Sequence, residues 1–188
     1  MLADGGWIDA KARVGQWLLQ RAWQRSQASG AAVKPWPWAD MHPVARIHAP
    51  AQHADVIALS GATGRTLAWG PGHLDGSAIA GEPGNAVFTA HRDTHFAFVA
   101  SLRVGDRIVV DNADGSRAQF RVSGTSVVAA SELHLRADTA VPMLTLVTCY
   151  PFDAVAPGTP WRYVVTATLA APPVMAGVSE GIRRHSAS

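Results

Sequence analysis

Pro142-Met143-Leu144-Thr145-Leu146-Val147-Thr148-Cys149-Tyr150-Pro151 is the stretch on which the reading of this chain turns. Leu144, Leu146 and Val147 make an apolar run that favours a buried strand, and Pro151 cannot donate into a ladder, so the strand stops there. Cys149 stands at the strand's last position, beside a turn-prone Tyr-Pro-Phe-Asp, and is the only cysteine in the chain. A thiol at a strand end, next to a break, is placed to face a cleft. Taken alone, a free cysteine is more often a small, inert, buried hydrophobe. Two other residues bear on the choice, His91 upstream and Arg162 downstream.

A thiol is a nucleophile only as thiolate, and a free pKa of about 8.5 leaves little of it ionised at neutral pH. An imidazole can take its proton, and a fixed cation can hold the oxyanion formed when the thiolate attacks a carbonyl. Arginine suits the second task because its guanidinium is planar and always charged. His91 ends the short apolar run Asn85-Ala86-Val87-Phe88-Thr89-Ala90, just before the polar break Arg92-Asp93-Thr94-His95. Arg162 lies where the loop Gly158-Thr159-Pro160 enters the run Trp161 to Leu169. Cys149, His91 and Arg162 thus sit at the ends of three predicted strands, and convergent strand ends are how a barrel or sandwich builds a site.

Thr145-Leu146-Val147-Thr148-Cys149 resembles the TLxTC signature of sortases, the cysteine transpeptidases of bacterial surfaces. Thr89-Ala90-His91-Arg92 is similar to that family's catalytic-histidine segment, and Arg162 matches its catalytic arginine. Gly70-Pro71-Gly72-His73-Leu74, His91-Arg92-Asp93-Thr94-His95-Phe96 and Cys149-Tyr150-Pro151-Phe152-Asp153 look most like the Gram-negative class GN. The resemblance covers roughly residues 43–170. Motifs in this order and at these separations are more specific than any one alone.

The resemblance implies a mainly β fold: an eight-stranded, closed sortase-type β-barrel with an N-terminal helix. It also implies catalysis by Cys149, His91 and Arg162 on a secreted protein bearing an LPxTG-like C-terminal sorting signal. The thioacyl-enzyme would pass its acyl group to an amine acceptor at the cell surface. Candidate subsite residues are Thr148 and Ala90 beside the catalytic pair, the aromatics Tyr150, Phe152 and Trp161 around the loop after Cys149, and His73, which as a single loop histidine is otherwise structural or solvent-facing. No cofactor and no metal are expected. His95 is the alternative to His91, and Asp93 is either an orienting partner for an imidazole or half of a solvated pair with Arg92. A purely hydrolytic cysteine peptidase would use the same residues. A non-catalytic β-barrel peptide-binding module would keep Cys149 buried and slow to react. A metal-binding barrel is the weakest rival, because Asp75, Glu82, Asp111, Asp114 and Glu132 suggest no acidic cluster.

The remaining sequence agrees. With 188 residues, 48% hydrophobic and 16% charged, the chain is long enough for one domain with a sizeable core. A net charge of +2, with its basic residues scattered, gives no support for nucleic-acid binding. No run of about 18 apolar residues is present, so the given chain does not span a membrane as a helix. The family resemblance implies an N-terminal membrane anchor ahead of this chain and a catalytic domain on the extracytoplasmic, periplasmic side.

Residues 7–25 are predicted as a helix, from Trp7, Ala10, Val14, Leu18 and Ala22 at helical spacing. It either packs on the domain or lies near a membrane with its tryptophans at the lipid surface. Lys34-Pro35-Trp36-Pro37-Trp38-Ala39-Asp40 reads as an extended tie, with both tryptophans against the barrel. The expected divisions are 1–42 for helix and linker, 43–170 for the catalytic barrel, and 171–188 for a loose polar tail. Eight strands are predicted, over 45–47, 56–59, 86–89, 107–110, 119–123, 125–129, 143–149 and 161–169.

Overall fold

Alternation of side chains decides which face of each strand enters the core. The strand β1, Pro43–Ala49, buries every second residue, and its Ala45, Ile47 and Ala49 face inward. A computed structural model describes residues 3–154 and 158–170, with side chains described from residue 13 onward. The tail expected over 171–188 lies outside the described residues.

The long helix α1 spans Ala3–Ser29, longer at both ends than the 7–25 predicted. It is followed by β1, then β2 at Ala54–Ser60, and a single helical turn α2 at Gly64–Leu67. Next come β3 at Gly72–His73, β4 at Asn85–Thr89, β5 at Arg107–Asn112 and β6 at Arg117–Ala129. The last strands are β7 at Met143–Tyr150 and β8 at Trp161–Leu169. The strands close into a barrel in the order β1-β2-β3-β4-β7-β8-β6-β5.

Eight strands were expected and eight are present among the described residues, but they are not the same eight. The two predicted over 119–123 and 125–129 are one long strand, β6. Gly124 interrupted the pattern because the register against β8 shifts between Val122 and Gly124, a local irregularity that bends the strand without ending it. The strand that takes up the count is β3, too short to carry a periodicity. It pairs in parallel with β2 and antiparallel with β4, bridging two strands that would otherwise leave an open edge. The turn Asp111 to Gly115 makes the β5–β6 hairpin, closed by the Asn112 amide donating to Ser116 O at 2.8 Å. Gly105-Asp106 leads from a short 3-10 turn into β5.

Inside the barrel, Ala86, Phe88 and Ala90 of the β4 segment meet Leu144 and Leu146 of β7, Val165 and Ala167 of β8, and Phe120 of β6. A smaller cluster lies outside, where Leu19 of α1 packs with Met41, Leu59, Trp36 and Trp69. Helix α1 therefore packs on the domain, through its buried Leu19, Ala22, Trp23 and Ser26. The Trp-Pro-Trp tie is split in its role. Trp36 meets Trp69 edge to face at 4.9 Å, but Trp38 points outward and is 83% exposed.

Glycine is demanded at position 72, where an added Cβ would come 2.4 Å from Gly61 O and 2.9 Å from Ala62 Cα, both rigid backbone. Gly64 has nothing within 4 Å of such a carbon. Gly72→Ala is expected to cost about 1–3 kcal/mol in urea denaturation, as overpacking does. Gly64→Ala, in the open first turn of α2, is expected to stay within about 0.5 kcal/mol of the parent.

Candidate active site

The β4–β7 pairing is parallel and in register, with Phe88 opposite Leu146 and Thr89 opposite Val147. Side chains of paired residues share a face, and the face changes at every step along a strand. Ala86, Phe88, Leu144 and Leu146 point inward, so Val87, Val147 and the residues two further on point outward. Cys149 is therefore on the barrel's outer face, and its antiparallel partner on β8 is Arg162. His91, just past the end of β4, occupies the matching place on the third strand.

Two bonds carry the pairing past the end of β4. The Ala90 amide donates to Val147 O at 3.3 Å, and the Thr148 hydroxyl donates to Ala90 O at 2.7 Å. Thr148 is 1% exposed, so its hydroxyl is committed to holding the two strand ends together. Ala90 is likewise buried. The three residues expected to carry chemistry are brought to one edge of one face, where His91 is exposed and Cys149 and Arg162 are half-buried.

Beside them runs an apolar strip on the same outer face, formed by Val87, Val147 and Val164, with Leu74, Val128, Leu133 and Leu135 packed on it. Leu133 and Leu135 belong to the stretch between β6 and β7, where residues 133–139 have no regular secondary structure. No periodicity pointed to them; their alternation across one intervening residue was the only available sign.

The other expected subsite residues diverge. His73 pairs with Phe88 and so shares the inner face; its ring lies 4.9 Å from the Phe88 ring, and Nε2 lies 2.9 Å from Ser77 Oγ and 3.0 Å from Ala78 O. It is not brought to Cys149. Tyr150 and Phe152 gather with Tyr163, at ring separations of 6.1, 6.2 and 5.2 Å, on the inner side at the barrel's end. Trp161 is opposite Tyr150 and largely exposed.

His95 lies in a recess with Trp17, Gln20, Val56 and Trp69, against α1. Burial holds its pKa below the usual histidine range, and the neighbouring His91 adds to the effect. Its imidazole therefore tends to the neutral form. Asp93 is exposed, but Arg92 is buried, so a solvated Arg92–Asp93 pair is not what forms. Arg92 instead donates from Nη2 to Ala154 O at 2.6 Å and from Nη1 to Thr159 Oγ1 at 3.3 Å. Arg162 donates from Nη1 to Thr159 O at 2.7 Å and to Trp161 O at 2.9 Å. Among the described residues, no three His, Cys, Asp or Glu side chains are grouped to hold a metal ion. A half-buried thiol between an imidazole and a guanidinium has the parts for acyl transfer: nucleophile, proton carrier and oxyanion donor.

The sortase-domain family model matches residues 47–170. Sortase A from Corynebacterium diphtheriae is similar over 73% of this chain and 65% of its own, just under two thirds, at 28% identity and a TM-score of 0.65. Sortase C-1 from Actinomyces oris is similar over 69% of this chain and 74% of its own, at 30% identity and a TM-score of 0.62. A Clostridium perfringens sortase D5 transpeptidase shares the fold at a TM-score of 0.68 and 20% identity, over 85% of this chain and 99% of its own. No curated protein matches the chain.

Thr148→Val should leave Ala90 O without its donor and cost about 1–3 kcal/mol in chemical denaturation. A second expectation concerns pH. His95 and His42 both have folded pKa values depressed by burial, His42 further by Lys34. The unfolded chain binds protons more readily, so their contribution is whole above about 6.5 and declines as pH falls below it. Asp55, Asp111 and Asp114 are also depressed, but from the carboxylate range, so their loss comes only in stronger acid. The melting temperature should drop between pH 7.5 and 5, and the drop should shrink in a His42→Gln/His95→Gln double variant.

Proposed function

This chain belongs to the sortase family of cysteine transpeptidases, and we propose that it cuts an LPxTG-like sorting signal through a thioacyl-enzyme and passes the acyl group to an amine. The observation that carries the assignment of roles is the shared face: Cys149 opposite Arg162, with His91 at the matching strand end. The Cys149 thiolate attacks the carbonyl of the signal's Thr, and the C–N bond to the following Gly breaks. His91 protonates the departing amine, then takes a proton from the incoming one. Arg162 donates to the oxyanion. The apolar strip of Val87, Val147 and Val164 supports seating an apolar side chain of the signal beside the thiol. Acceptor amine outcompetes water when it is held in line with the thioester.

The substrate in this reading is a secreted protein with a C-terminal signal, and the enzyme works on the extracytoplasmic side, behind a membrane anchor. The assignment to class GN rests on the motifs around His73, His91 and Cys149. No described helix is long and apolar enough to cross a membrane. Placement at a bilayer surface is supported by the outer side of α1. Trp17 is 55% exposed, Val14 is also exposed, and Trp38 stands nearby. Arg21 lies over the Trp17 ring at 4.7 Å, and residues 13–38 hold four basic and no acidic side chains. Exposed tryptophan among cations suits an anionic lipid surface.

Intact-protein mass after mixing with an LPxTG-type peptide tests the chemistry. The expected result is a thioacyl adduct on the parent and none on Cys149→Ala, released as a ligated product by an added amine. An adduct released only by water would make the enzyme a peptidase. No adduct, with a thiol that also resists alkylation, would return Cys149 to a structural role. His91→Ala is expected to lose about 10²–10⁴ in turnover. If it stays near normal and His95→Ala does not, the proton carrier is His95. Arg162→Lys should be strongly impaired because lysine lacks the planar fork. Co-sedimentation with vesicles rich in phosphatidylglycerol should weaken in Trp17→Ala/Trp38→Ala; unchanged sedimentation would remove the lipid contact.

A further inference from the structure

We propose that Arg92 is a positioning residue for Arg162, acting through Thr159. The proposal rests on Arg162 being the oxyanion donor. Arg92 directly follows His91 and is 9% exposed. Its guanidinium reaches across to the segment joining β7 and β8, donating to Ala154 O and to the Thr159 hydroxyl. The carbonyl of that same Thr159 accepts from Arg162 Nη1 at 2.7 Å. Thr159 is thus gripped by both arginines, its hydroxyl by one and its carbonyl by the other.

A buried guanidinium cannot shed its charge, and a buried charge without partners is costly, so Arg92 is held to its acceptors. Among the described residues of the β7–β8 segment, its bonds fix Ala154 and Thr159. The segment begins just after Cys149 and ends just before Arg162. An arginine side chain has many rotamers, and only a fixed anchor selects one. Thr159 O and Trp161 O both engage Nη1 of Arg162, which sets the plane of its guanidinium without calling on the other nitrogens. The three residues make a chain from the His91 end of β4 to the Arg162 end of β8, around the nucleophile. A substrate carbonyl at Cys149 would then meet a donor already aimed.

Thr159→Val keeps the side-chain shape and removes the hydroxyl; Thr159→Ser keeps the hydroxyl. Acylation rates with a sorting-signal peptide should fall about 10- to 100-fold in Thr159→Val, the scale of a misplaced catalytic group. KM should stay within about threefold, because an interaction made only in the transition state is lost. Thr159→Ser should recover most of the rate. Arg92→Lys should behave like Thr159→Val if it folds, and Thr159→Val stands alone if it does not. Alkylation of Cys149 by iodoacetamide should be unchanged in Thr159→Val, which separates a mispositioned donor from a disturbed thiol.

The decisive comparison is the Arg162→Lys background. There Thr159→Val should add less than about twofold, since the two changes act on one group. A full additional loss in that background, or a near-parent rate for Thr159→Val alone, would overturn the proposal. A near-parent rate for Arg162→Lys itself would locate the failure in the role of Arg162, and the positioning role would fall with it.

Discussion

The parallel register between β4 and β7 is the constraint on which the site depends. With Thr89 opposite Val147, the residues of both strands that enter the barrel are even-numbered, and those that leave it are odd-numbered. A slip of one residue on β7 would carry Cys149 into the barrel and Leu144 and Leu146 out of it. The apolar side chains that must be buried therefore decide where the thiol points. The same register, passed from β7 to β8, puts Arg162 beside it. Core packing and catalytic geometry are two consequences of one pairing.

That pairing has to be held at its weakest point, the strand ends, where ladder bonds run out. Thr148 serves there because it combines a β-branched body, suited to the barrel interior, with a hydroxyl that reaches Ala90 O. Its neighbour Cys149 can then stay half-buried, since the residue before it supplies the anchoring. With a single cysteine, no disulfide within the chain can secure the surrounding loops. The loops are secured by hydrogen bonds from Arg92, Arg162 and Asn85, the last donating to Arg136 O at 3.0 Å.

The sequence was most legible where a pattern and a chemical requirement coincided. Pro142 to Pro151 announced a buried strand with Cys149 at its end, and the structure adds that alternation turns Leu144 and Leu146 inward and Cys149 outward. The barrel and its helix followed from strand number and from family resemblance. What stayed hidden was set by distant contacts. β3 is two residues long and exists only because β2 and β4 lie on either side of it. Gly124 looked like a break because glycine has no side chain to pack, yet it pairs with Thr166 of β8, and Val122 and Thr125 on either side pair with β8 too. His73 was a candidate for the border of the site because it stands in a Gly-rich loop near the catalytic segments in sequence, although a single loop histidine carries little specificity. Its pairing with Phe88 turns it to the other side of the sheet.

Arg92 illustrates the same limit from the charged side. Between His91 and Asp93, in a polar break, an arginine reads as solvated, because charged residues in loops ordinarily are. Burial reverses the inference. A guanidinium that is 9% exposed must spend its donors on acceptors the fold provides, and a loop that lacks a ladder has backbone carbonyls to offer. Carbonyls such as Ala154 O have no strand partner, and Arg92 has little solvent. Each answers the other's requirement. A charge inside a loop can order a catalytic edge in this way without adding to the apolar core, which the barrel interior has already filled.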